Sequence, residues 1–167
     1  MSREHLKDAD REEVARFIEK HWRSPVVMSH GRAFYPHLEE GIIERRGGEI
    51  VGLITYHVED GAMEILTLNS TLEGSGIGSS LVITAIETAR HNGCRRVWFT
   101  TTNDNLKSIS FNQRLGFRMV AIHVGVVDEA RRIKPQIPQF GERGVRIQDE
   151  IVMELGVEPF IEDGMDV

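Results

Sequence analysis

The chain has 167 residues, 40% of them apolar and 28% charged, a mix that excludes a disordered chain and supplies one ordinary core. With 20 basic and 26 acidic side chains the formal net charge is −6, which disfavours non-specific binding to nucleic acid or to anionic membrane surfaces. One cysteine, Cys94, excludes an intrachain disulfide framework and a cysteine-based zinc site. No apolar run approaches the roughly 20 residues of a membrane span. The segment Met1-Ser2-Arg3-Glu4-His5-Leu6-Lys7 has no apolar signal-peptide core. The expectation is a cytoplasmic protein with no nucleic-acid or membrane partner.

In chain order, Asp10-Arg11-Glu12-Glu13 reads as a capping box, and Val14, Phe17, Ile18 and Trp22 then fall on one helical face. Pro25 ends that helix near Arg23. Residues 26–40 read as mostly loop. From Gly41 to Val58 two strand-like runs flank Gly47-Gly48, a hairpin pattern; Asp60-Gly61 marks a second turn before a strand over Met63–Leu68. Ile77, Leu81, Val82, Ala85, Ile86 and Ala89 predict a long helix stopped at Gly93. A buried strand is expected over Val97–Thr101. Asn103 or Asp104 then caps a helix running to Leu115 and closed by Gly116. Phe117–Val124 and Asp149–Leu155 are the last strands, joined by a long connection over residues 125–148. Residues 1–157 read as a single domain, and 158–167 as an acidic tail. A meander followed by βαβ units predicts an α/β fold with a mixed sheet.

Gly74, Gly76 and Gly78 fall between a strand and the start of a long helix. Helix N-terminal N–H groups are unsatisfied and lie at the positive end of the dipole, and glycine lets a phosphate approach them. A tight strand-to-helix turn would use the same glycines. A Rossmann site is disfavoured: Ser79 stands at the third glycine position, and the strand at 97–101 carries no acidic residue. A Walker P-loop lacks its Gly-Lys-Ser/Thr.

The segment Glu73-Gly74-Ser75-Gly76-Ile77-Gly78 resembles the pyrophosphate motif of the GCN5-related N-acetyltransferase (GNAT) superfamily. Asn105, Ser108 and Phe111-Asn112-Gln113-Arg114-Leu115-Gly116-Phe117 resemble its second motif, at fitting spacing. The resemblance spans about residues 41–124. It implies a mostly antiparallel central sheet of roughly six or seven strands flanked by helices. The sheet would splay between the strands at 63–68 and 97–101 to admit acetyl-CoA as co-substrate. The backbone of Leu66 and Leu68 would pair with the pantetheine amides. The amides of Gly74, Ser75, Gly76, Ile77, Gly78 and Ser79 would hold the pyrophosphate, with Asn105 on the pantetheine arm. Ser108 and Asn112 would complete the cofactor site.

Two departures from the family pattern bear on chemistry. Glu73 stands where Gln or Arg is usual, an acid beside a pyrophosphate. Asn112 stands where many members carry the Tyr that protonates the leaving thiolate. An amide cannot deliver a proton at neutral pH. Water, Tyr56 or Ser108 would do so instead.

Attack by an amine on a thioester needs the free base, so a nearby proton acceptor is expected. Glu64 is the candidate, on a strand whose residues 64, 66 and 68 would share a face; His57 is the alternative. His30 and His37 near Glu39 and Glu40 match no metal-ligand pattern, so no metal is expected, and Cys94 reads as packing. The 125–148 connection carries Arg131, Arg132, Lys134, Arg143 and Arg146, which suit an anionic acceptor or simply a solvated lid. The reading is an N-acyltransferase acting on a small-molecule or peptide amine, with a homodimer allowed. Alternatives are a CoA-binding sensor without turnover, or transfer of another acyl group or to another acceptor.

Overall fold

The computed structural model describes residues 2–160. Among these residues nine strands and four α-helices are formed: β1 (Ser2–His5), α1 (Arg11–Trp22), β2 (Val27–Ser29), β3 (Arg32–Phe34), β4 (Glu40–Arg46), β5 (Glu49–Glu59), β6 (Ala62–Ser70), α2 (Ile77–His91), β7 (Arg96–Thr102), α3 (Leu106–Arg114), β8 (Arg118–His123), α4 (Val126–Ile133) and β9 (Glu150–Gly156). Seven strands make one sheet in the order β1-β4-β5-β6-β7-β9-β8, and β2 and β3 form a separate hairpin. Every neighbouring pair in the large sheet is antiparallel except β6–β7, which is parallel. The mixed α/β architecture is the one expected.

Alternation along the strands divides the core into two layers. Ile43, Ile50 and Leu53 meet Val14 and Ile18 of α1 on one face. Ile42, Ile54, Tyr56, Met63, Val97 and Phe99 meet Leu81, Val82, Ala85 and Ala89 of α2 on the other. The N-terminal turn of α2 lies so close on β5 that a Cβ at Gly52 would sit 2.5 Å from Ile77 Cγ2. That close approach sets the direction in which α2 leaves the loop before it.

Several expectations are corrected. The 26–40 segment is ordered: it holds the β2–β3 hairpin, turning at His30-Gly31 with both φ values positive, and a short 3₁₀ turn over Pro36–Leu38. Asp10 does not cap α1 with its side chain. Its carboxylate instead accepts from the Lys7 N–H and pairs with Arg45, which also binds Glu13. Asn105, not Asn103 or Asp104, caps α3 by accepting from the Ser108 N–H. Asn103 instead accepts from the N–H groups of Gln148 and Asp149, fixing the entry to β9. The 125–148 connection contains α4, which starts at Gly125, where φ is +75°.

No helix among the described residues is long and apolar enough to cross a membrane. The acidic tail expected from residue 158 is described only to Phe160, which packs under the Arg90 guanidinium; 161–167 lie outside the described residues.

Candidate active site

Strands β6 and β7 pair at only three positions, Ala62–Arg96, Met63–Val97 and Glu64–Trp98. Beyond Glu64 they part, although β6 continues to Ser70 and β7 to Thr102. The parting opens a cleft of about 680 Å3. Leu66 and Leu68 line it on one side, and Phe99, Thr100 and Thr101 on the other. Gly74, Gly76, Ile77, Gly78 and Ser79 close one end, and Asn105, Ser108 and Asn112 lie along α3. All but one of the residues expected at a CoA site thus surround one cavity. Ser75 is the exception: its hydroxyl turns back to donate to the Leu72 carbonyl at 2.5 Å and braces the loop.

Gly76 stands at the N-cap of α2 with φ +78°, and Gly74 has φ +69°. The N-cap glycine offers no side chain to cap this helix, and a Cβ at either glycine would meet nothing within 4 Å. The Ile77 N–H reaches Ser75 Oγ at 3.5 Å, while Gly78 and Ser79, in the first turn at the positive end of this 15-residue helix, line the cleft. Glu73 does not stand alone beside them. The Lys107 ammonium lies 2.9 Å from Glu73 Oε1, and that hydrogen bond holds the carboxyl below its usual range. Lys107 and Arg114 of α3 line the cleft as cations, and Trp22 reaches it while donating to Asn69 Oδ1 at 2.6 Å. The sequence pattern had placed Trp22 with the core face of α1 and gave no role to Lys107 or Arg114.

Asn112 is 95% buried, and its side-chain amide donates to the Ser108 carbonyl at 2.9 Å and to its hydroxyl at 3.4 Å. Its amide is thus held within α3. Tyr56 does not line the cleft; it borders a separate depression with His5, Glu40, Thr88 and His91, and burial pushes its hydroxyl up to about 12. Of the two protein hydroxyls considered for protonating a thiolate, Ser108 alone is in the cleft.

Glu64 lies where the strands part and is 7% exposed. The expected face-sharing of 64, 66 and 68 is overturned by a bulge: Tyr56 pairs with Ile65 but Thr55 with Thr67, leaving Leu66 as the extra residue. Glu64 therefore shares its face with Thr67 and Asn69. Ser29 donates to Glu64 Oε1 and lies 3.0 Å from Thr100 Oγ1, so the β2–β3 hairpin covers this face. Burial raises the Glu64 carboxyl above the usual range; the Ser29 bond and the neighbouring His57, Arg32 and His30 oppose the rise. His57, the cross-strand partner of Glu64, binds Glu39 Oε2 through Nδ1 at 2.8 Å.

The basic connection does not offer its central cations to a ligand. Arg131 donates to the carbonyls of Ile137, Pro138 and Ile147 and pairs with Asp128. Lys134 donates to the Val26 carbonyl, and burial lowers its ammonium. Arg132 and Arg143 remain exposed. Cys94 is buried, which pushes its thiol up, in keeping with packing.

The sequence matches the acetyltransferase (GNAT) family over residues 4–117. The chain belongs to the GNAT acetyltransferase family. The uncharacterized Bacillus subtilis protein YdhI is 39% identical over 137 residues, covering 81% of this chain and 86% of its own. The uncharacterized protein YxbD of the same organism is 37% identical over 141 residues, covering 84% and 89%. A Bacillus subtilis acetyltransferase solved in complex with CoA superposes with a TM-score of 0.65 at 19% identity, over 93% of this chain and 97% of that one.

Proposed function

We propose that the chain transfers an acetyl group from acetyl-CoA to the amine of a small-molecule or peptide acceptor by direct attack, with Glu64 receiving the amine proton. Acetyl-CoA is the co-substrate. The observation that carries this reading is a buried carboxylate at the point where β6 and β7 part, one residue before Ile65, where the lining of the cavity begins on β6. The unpaired edge of β6 suits hydrogen bonds from Leu66 and Leu68 to pantetheine amides. The start of α2 suits the pyrophosphate, with Gly74, Gly76, Ile77, Gly78 and Ser79 lining that part of the cleft.

In the step itself the amine nitrogen bonds to the thioester carbon and the C–S bond breaks. The amine loses one proton, and Glu64, made more basic by burial, is the acceptor of it. The CoA sulfur departs as a thiolate. A thiol of pKa ~8.5 is a fair leaving group and does not demand a strong acid. Water or the Ser108 hydroxyl supplies its proton, because the Asn112 amide is held by its own helix. A single cysteine without a disulfide partner favours a cytoplasmic setting.

The test is release of free CoA thiol from acetyl-CoA over a panel of amines, set beside CoA-induced thermal stabilisation. Glu64→Gln is expected to lower kcat by about 100-fold or more with little change in the KM for acetyl-CoA. Stabilisation by CoA with no thiol release for any amine would replace this reading with a sensor that binds CoA without turnover.

A further inference from the structure

His30, His123 and Glu150 are brought together from three segments. His30 occupies the β2–β3 turn, His123 ends β8 and Glu150 opens β9. His123 and Glu150 are direct cross-strand partners. One ligand atom from each of the three lies within 4.8 Å of the others, and the two imidazole rings meet edge to face with centroids 4.6 Å apart. The sequence separates them by 93 and 27 residues, so no short ligand motif could reveal the group.

Glu150 is 92% buried, yet its Oε1 has no hydrogen-bond partner. Oε2 accepts from the His30 N–H at 3.2 Å, while Oε1 faces His30 Nδ1 at 3.4 Å without forming a hydrogen bond. A buried carboxylate oxygen left unpartnered is costly, and native proteins rarely leave one so. Its position beside two imidazoles supplies the reason. We propose that His30, His123 and Glu150 bind one divalent transition-metal ion of the zinc class.

The chemistry of the donors selects the ion. Two imidazole nitrogens and one carboxylate oxygen suit Zn2+, whereas Ca2+ and Mg2+ prefer all-oxygen shells. Zinc takes these ligands at about 2.0–2.2 Å, so donor atoms stand ~3.4 Å apart in a tetrahedron. Glu150 is the fixed corner. His30, with 53% of its side chain exposed, has the freedom to close the gap by rotation. Three protein ligands leave one position for water. The ion would tie the hairpin turn to the β8–β9 pair, and the residue before His30 is Ser29, which holds Glu64. The proposal concerns binding and does not rest on acetyl transfer.

The experiment is calorimetric titration of tag-free, chelator-treated protein with Zn2+, and with Co2+ followed by its visible absorption. One equivalent is expected to bind, with Mg2+ failing to compete. His30→Ala and His123→Ala are each expected to weaken binding by tenfold or more, and the distant His21→Ala to leave it unchanged. No stoichiometric binding to the wild type, or affinity kept in both variants, would overturn the site. Should either variant fail to fold, anomalous scattering from zinc-soaked wild-type crystals decides: a peak bonded to all three side chains supports the site, and its absence there overturns it.

Discussion

The hydroxyl of Ser29 donates to Oε1 of Glu64 across 35 positions of sequence, joining a small hairpin to the strand that borders the cleft. This bond favours the ionised carboxylate and opposes the effect of burial. Ser29→Ala is therefore expected to raise the Glu64 carboxyl further. The acidic limb of the pH–rate profile should move to higher pH, with activity at neutral pH partly retained. A limb that stays in place, measured on kcat/KM for the acceptor, would show that Glu64 is not the group titrating there.

Glu64 also links stability to pH. Burial raises its folded-state value above the unfolded one, so the native state binds this proton more tightly. The resulting stabilisation is full below the unfolded value and is lost as pH rises through the folded one. Glu64→Gln removes that loss while keeping an acceptor for Ser29. At neutral pH the variant is expected to melt above the wild type although its turnover is lower. Denaturant unfolding of both proteins at weakly acidic and neutral pH checks the sign.

At the phosphate end, Gly76 has φ +78° and open space around its missing side chain. Asn tolerates that conformation better than most residues. Comparing Gly76→Asn with Gly76→Asp therefore separates strain from charge. The Asp variant should bind CoA tenfold or more weakly than the Asn variant, ~1.4 kcal/mol by calorimetry. Equal affinities in two folded variants would displace the pyrophosphate from this turn.

Glu73 and Lys107 form an exposed pair at the mouth of the cleft. Neutralising the acid by Glu73→Gln leaves the ammonium to an incoming phosphate and should tighten CoA binding by about two- to fivefold. Lys107→Gln should weaken it by a similar factor. Both effects should fade as salt is raised, because exposed charges are screened within about 8 Å at physiological ionic strength.

Arg131 gives the opposite outcome to an acceptor-binding cation. Its side chain is 10% exposed and donates to three backbone carbonyls of the segment that follows α4. Arg131→Ala should lower stability by about 2–3 kcal/mol, as expected when buried acceptors lose a charged donor. The KM for the acceptor should change little in protein that remains folded.

The residues that announced themselves in sequence are those whose role is local. Gly47-Gly48 and Asp60-Gly61 make the hairpins, and Gly74, Gly76, Gly78 and Asn105 line the cleft. Residues whose role depends on distant partners did not. The bulge at Leu66 is a mismatch between two strands and has no mark on either alone. The β2–β3 hairpin consists of two three-residue strands turning at His-Gly rather than Asn-Gly, so its pattern is too short to read. Asn103 looks like a helix cap by composition, but the N–H groups of Gln148 and Asp149, just before β9 and more than 40 positions later, take its Oδ1. Helix α4 begins without a capping side chain; the Gln148 carbonyl accepts from the Val127 N–H of its first turn, and Asp149 holds the preceding Gly125 N–H.

Among the described residues, the three pairs between β6 and β7 are the one strand ladder joining one half of the large sheet, β1-β4-β5-β6, to the other, β7-β9-β8. This short seam makes the protein two leaves on a common spine, and the cleft is the space where the leaves stand open. A ligand bonded to both would act as an added strand, stitching the leaves along their free length. The amide hydrogens of Leu68 and Ser70, which alternate with the β5-facing ones of Thr67, Asn69 and Thr71, should then exchange faster than those β5-facing ones in the free protein. Binding of CoA should slow the first group most.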